Sequence, residues 1–161
     1  MQHAGLIILT GIGATAVMDL WLQLLQRLGL PTGSFAMIGR WAGHLARGRV
    51  MHLSIAKSDP VRHELTLGWA VHYATGIAFA FLLAAVAGTA WFTQPRLLPA
   101  LATGIATVAV PLLIMQPAMG QGIAASKTPQ PLHSVLRSLA NHGVFGLGLY
   151  LSACLLAWAA P

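Results

Sequence analysis

The sequence predicts an all-α fold: a four-transmembrane-helix bundle with an interfacial amphipathic helix in its first cytoplasmic loop. Three observations predict it. Of 161 residues 57% are hydrophobic and only 7% charged, too few polar side chains to cover a water-soluble globule of this size. Four apolar runs, at about residues 4–25, 65–87, 97–116 and 139–160, each match the roughly 20 helical residues that cross a bilayer core. Eight of the nine basic residues lie between runs one and two or between runs three and four. The runs make one integral membrane domain over residues 1–161.

The first run could be mistaken for a signal peptide, because Ala14-Thr15-Ala16 has the small-x-small form of a processing site. It lacks a basic n-region and stays apolar to Leu25, so it reads as a helix. In the loop that follows, Phe35, Ile38, Ala42 and Leu45 recur at helical spacing, while Arg40, His44 and Arg47 form a polar row. That pattern predicts a helix lying on the membrane surface. The third run starts with Pro99 in its first turn, where a missing N–H costs little, but Pro111 falls inside it and should kink it. Trp21 and Trp69 mark one expected membrane face, and Trp91 and Trp158 the other.

Charge sets the orientation. Arg27, Arg40, Arg47, Arg49, Lys57 and Arg62 follow the first run, Lys127 and Arg137 follow the third, and Arg96 alone lies on the other side. The positive-inside rule then puts both larger loops in the cytoplasm and both termini on the outer side. The net charge of +6 is met by anionic lipid headgroups rather than nucleic acid, because the basic residues are few and sit beside apolar runs. Cys154 is the only cysteine, so no internal disulfide forms.

Several polar residues fall within or beside the spans. Asp19 is the one carboxylate inside a run, and a charge there costs at least about 2.5 kcal/mol on insertion scales. Thr15, Asp19, Gln23 and Arg27 are four apart and so share a stripe of the first helix. Glu64, Gly68, His72 and Gly76 form a similar row on the second, and His142, Gly146 and Tyr150 on the fourth. Gln116 ends the third, followed by the broken stretch 117–126 with Gln121 and Ser126. The topology brings Asp19, Gln23, Glu64, His72, Gln116, Gln121 and His142 toward the cytoplasmic leaflet as a candidate ligand pocket. Its alternative is simple interhelical hydrogen bonding. Stretch 117–126 reads as an interfacial loop or as a re-entrant turn. His44, His52, His63 and His133 read as interfacial.

Some patterns carry nothing. Gly11-x-Gly13-x-x-Ala16 matches a dinucleotide fingerprint, but no acidic residue follows at about 20 residues and no βαβ pattern surrounds it. Small-residue helix packing explains it better. There is no HxxxH, no HExxH and no Glu-x-x-His on any span, and no nucleophile stands beside a base. Catalytic residues and cofactor stay unassigned.

The strings GATAVMDLW (13–21), GRWAGHLARGR (39–49), GWAVHYATGIAFA (68–80), QPAMGQGIAASKTPQP (116–131) and HGVFGLGLYL (142–151) resemble the bacterial membrane family called Domain of Unknown Function 2938. The resemblance covers nearly the whole chain. It implies no activity, but it places Asp19, Trp41, His44, His72, Gln116, Pro117 and His142 inside the family's own strings, which favours a site over incidental packing.

Three readings stay open. An inward-facing pocket could bind or move a small polar solute, a proton or a metal ion. His72 and His142 could ligate a haem b between two helices. The chain could instead be a structural subunit, packed by its small-residue faces against a second copy or another membrane protein within the lipid bilayer.

Overall fold

In the computed structural model, which describes residues 2–159, the chain is helical with no strand among those residues. Helix α1 spans Gln2–Arg27, α2 Phe35–Leu45, α3 Glu64–Ala87, α4 Leu97–Ala118 and α5 Pro131–Ala159. Helices α1, α3, α4 and α5 are long and apolar enough to cross a membrane, compatible with a multi-pass membrane protein. Their large side chains fit that solvent. Leu20, Val86, Ile114 and Leu155 stand exposed on the protein, where hydrocarbon would cover them.

One boundary departs from the sequence reading. Helix α5 begins at Pro131 instead of near residue 139, because proline is at home in a first turn and the residues after it carry no breaker. Helix α4 is disturbed where Pro111 predicts. Its regular α-helical turns stop at Ala106, and Pro111–Met115 form a π turn, since proline has no N–H to give the carbonyl four residues back.

The chain divides into two compact units. The first comprises the described parts of Met1–Thr32, Tyr73–Thr107 and Ala140–Pro161. Its core is Ile7, Ala14, Ala80, Leu83, Trp91, Phe92, Ala100, Phe145, Leu149 and Ala153. Helices here touch through small residues, which let backbones approach and gain dispersion contacts that lipid cannot supply. A Cβ on Gly11 would lie 2.7 Å from Ile77 Cα, one on Gly104 2.5 Å from Gly146 Cα, and one on Gly148 2.9 Å from Ala14 Cα. Trp91 is buried with its indole N–H donating to Arg96 O at 3.0 Å, so it is a core residue instead of a headgroup anchor. Trp158 is 85% exposed.

The second unit comprises Gly33–His72 and Val108–Leu139. Helix α2 crosses the start of α3 at backbone contact. A Cβ on Gly39 would collide with Glu64 O, and one on Gly68 with Phe35 O. The face of α2 turned inward is Gly39, Arg40, Gly43 and His44. This corrects the expected polar outer row: Arg40 and His44 are buried, and Leu45 is 40% exposed. The reason is that this unit's interior is itself polar, so the row meets carboxylate and carbonyl oxygens there.

Gly148→Ala should destabilise the protein by about 1–3 kcal/mol through forced overpacking. Gly143→Ala, where a Cβ meets nothing within 4 Å, should be neutral or slightly stabilising. Denaturant titration in detergent followed by circular dichroism compares the two.

Candidate functional site

In the first unit, the buried carboxylate of Asp19 accepts a 2.8 Å hydrogen bond from the Tyr73 hydroxyl. Tyr73 is one residue past His72, on a face of α3 that the small-residue row 64, 68, 72, 76 leaves aside. Sequence reasoning missed it, although a tyrosine in mid-span must find a partner for its O–H. Thr15, one turn before Asp19, is also buried and donates to Gly11 O, whereas Gln23, one turn after it, is exposed. The polar stripe therefore faces inward only as far as Asp19. Trp21 donates from its indole to Asn141 Oδ1 at 3.0 Å, a partner that gives its half-buried ring an interior role.

His142 is half-buried and paired. Thr107 donates its hydroxyl proton to Gly104 O at 2.6 Å, so at 2.9 Å it can only accept from His142 Nδ1. Phe79 stands 6.2 Å from the imidazole.

In the second unit, Arg40 organises the polar interior. Its Nε and Nη2 grip the two Glu64 oxygens at 2.8 and 2.9 Å in a fork, and its Nη1 donates to the carbonyls of Ala56 and Ser58 at 3.2 and 3.1 Å. Hydrogen bonds from the guanidinium to Glu64 hold the Arg40 pKa above its ordinary value, so the charge is permanent. Glu64 also accepts from Val61 N–H at 3.2 Å, which makes it a structural anchor for residues 54–61. His72 is half-buried, its ring centroid 4.7 Å from that of Phe35 and 5.9 Å from that of Trp69.

The segment after α4 packs along residues 52–55. His52 N–H donates to Ala118 O at 2.8 Å and Ile55 N–H to Met119 O at 3.0 Å. Gly120, at φ +91°, leaves no room for a Cβ against Leu53 O. Ala124 and Ala125 follow at φ 50° and 58°, a left-handed conformation costing roughly 1–2 kcal/mol for a residue with a Cβ. Residues 51–53 and residues flanking this strained pair line an open cavity of about 540 Å³, with His52, Pro117, Gly120, Ser126 and Lys127 on its walls. Gln121 is half-buried and tied by backbone bonds, its N–H to Gln116 O and its carbonyl from Lys127 N–H.

Among the described residues, the buried side-chain atoms without a hydrogen-bond partner are Thr10 Oγ1 in the first unit, and His44 Nδ1, His52 Nε2 and Gln116 Oε1 in the second. His44 and His52 are 2% and 8% exposed and so lie inside the protein, not at its surface as the sequence reading had them. No group of three or more His, Cys, Asp or Glu among the described residues could hold a metal ion.

A double-mutant cycle on Asp19→Asn and Tyr73→Phe should give a coupling of about 1 kcal/mol, the upper part of the range for hydrogen bonds between helices in membranes. Unfolding free energies in detergent measure it. A coupling near zero would show that the Tyr73 hydroxyl contributes nothing there.

No curated protein and no solved structure matches the chain. A family model described as "Protein of unknown function (DUF2938)" matches residues 8–156. That span takes in every residue of both sites described above, and the chain belongs to this family.

Proposed function

We propose that this is a multi-pass protein of the bacterial inner membrane that binds a small polar solute or ion in the polar interior of its second unit, from the cytoplasmic side. The observation that carries the proposal is the set of unpartnered buried atoms there, His44 Nδ1, His52 Nε2 and Gln116 Oε1. A buried acceptor without a partner costs about 1–3 kcal/mol, and a ligand that supplies the missing partner recovers that energy on binding. Of the three residues, His52 lines the open cavity, and the strained pair Ala124 and Ala125, in the segment that forms its far wall, is the kind of backbone that persists where a binding surface needs it.

Orientation rests on charge. Seven of the nine basic residues, Arg40, Arg47, Arg49, Lys57, Arg62, Lys127 and Arg137, belong to the second unit. The positive-inside rule puts such segments in the cytoplasm, with both termini in the periplasm. Of the residues singled out from sequence, Gln116 is assigned to the ligand, Glu64 to Arg40, and Asp19 and His142 to hydrogen bonds within the first unit.

Thermal unfolding of the detergent-purified protein against amino acids, carboxylates, phosphate, and mono- and divalent cations tests the binding reading. At least one compound should raise the Tm. Gln116→Leu should keep or raise the Tm without ligand, because it removes an unpartnered acceptor, yet weaken the response about tenfold. A panel with no response at millimolar concentration overturns the reading. Separately, alkaline phosphatase fused after Pro161 should be active and a cytoplasmic reporter at the same position silent. The opposite pattern reverses the orientation.

A further inference from the structure

The two buried histidines of the second unit are both held in one tautomer by the atoms around them. His44 Nε2 lies 3.0 Å from Asp59 O, and a carbonyl can only accept, so the imidazole proton is on Nε2. A neutral ring then carries its lone pair on Nδ1, the atom that has no partner. His52 Nδ1 lies 3.0 Å from Ser58 Oγ, and that hydroxyl already gives its single proton to Ser54 O at 3.1 Å. Ser58 must therefore accept from His52 Nδ1–H, which leaves the lone pair on Nε2, again the unpartnered atom. Two bare imidazole lone pairs thus sit on rings whose centroids are 5.0 Å apart with planes inclined at 60°.

Resting on the binding reading above, we propose that His44 Nδ1 and His52 Nε2 together ligate a late transition-metal dication of the Zn²⁺ class. Imidazole nitrogens bind such an ion at about 2.0–2.1 Å, and two of them at a near-tetrahedral angle set their ring centroids about 5 Å apart, the observed spacing. Each ring's other nitrogen donates to a carbonyl or a hydroxyl, which is how metal-bound histidines are oriented and made more basic. Neither donor is a carboxylate, and imidazole selects Zn²⁺, Co²⁺ or Ni²⁺ over Mg²⁺ or Ca²⁺. Two protein donors leave coordination positions open to water or solute from the cavity that His52 lines. An open shell of this kind suits an ion that is bound and released instead of one that holds the fold together.

Equilibrium dialysis of the detergent-purified full chain with Zn²⁺, and absorption of the Co²⁺-loaded protein, test the site. The expected result is one equivalent of Zn²⁺ per chain, unaffected by a hundredfold excess of Mg²⁺, with affinity reduced at least tenfold in His44→Gln and in His52→Gln. Misfolding of these variants is guarded against on the wild-type protein, where X-ray absorption of bound Zn²⁺ should show outer-shell scattering from two imidazoles. No stoichiometric Zn²⁺ binding, unaltered binding in both variants, or an absorption spectrum without imidazole each overturns the proposal. If an organic solute raises the Tm while Zn²⁺ does not bind, the metal site fails and the binding reading stands. If neither acts, both fail.

Discussion

The second unit is built around a guanidinium taken out of water. Arg40 is rigid, planar and always charged, and its fork matches a carboxylate, so once α2 carries it inward the chain must bring oxygen atoms to it. Glu64 supplies two, and Ala56 and Ser58 supply one each. Those four acceptors fix the start of α3 and the course of residues 54–61. The neighbouring groups inherit that geometry. Ser58 and Asp59 lie on the held segment, and these are the residues that orient His52 and His44. Gly39, Gly43 and Gly68 let the backbones close on the ion pair, each at a place where a Cβ would meet another segment. A single charge thus sets the tautomers of two imidazoles that it does not touch.

The polar groups of the two units differ in how far they are satisfied. In the first, the Asp19 carboxylate has the Tyr73 hydroxyl, His142 has Thr107, and Trp21 has Asn141, its helices meet through glycine, alanine and threonine, and among the described residues only Thr10 Oγ1 is buried without a partner. In the second, beside a fully engaged arginine, three acceptor atoms are left over. Evolution can remove an unpartnered buried acceptor cheaply, for instance by replacing glutamine with leucine. Keeping Gln116 and two fixed lone pairs is uneconomical for a scaffold and reasonable for a binding surface.

Much of this was legible in the sequence. Composition and the length of the apolar runs give the four spans, because hydrocarbon thickness leaves few alternatives. Pro111 marks the π turn for a local chemical reason, the missing N–H, and the close helix contacts at Gly68, Gly76, Gly146 and Gly148 follow from their spacing on apolar helices. The α2 helix was legible but its facing was not. A period of 3.6 separates two faces and does not say which one meets protein, and the usual answer inverts when the partner is a carboxylate and a row of carbonyls. Tyr73 could have been found by asking where a mid-span phenol sends its proton. The histidine pair could not. His44 and His52 are eight residues apart, a spacing that no ligand motif uses, and they meet because the chain turns back after α2 and is pinned there by Trp41, whose indole donates to Val50 O at 3.0 Å.

That pinning bears on why the site stands on irregular backbone at all. A helix presents side chains every 1.5 Å along one axis and keeps its own backbone groups occupied. Bringing two imidazole rings to a centroid distance of 5.0 Å from residues eight apart needs a turn between them and a second turn, at residues 54–59, to supply the partners of their other nitrogens. Such turns carry backbone N–H and C=O groups that must be satisfied away from water, and here the satisfaction is supplied by neighbouring chain: His52 and Ile55 by Ala118 and Met119, and Ala56 and Ser58 by Arg40. The left-handed alanines at 124 and 125 lie further along the segment whose Ala118 and Met119 carbonyls accept from His52 and Ile55. The strain in one segment and the buried charge in another are therefore two parts of one arrangement, which holds two ring nitrogens buried and without a partner among the described residues.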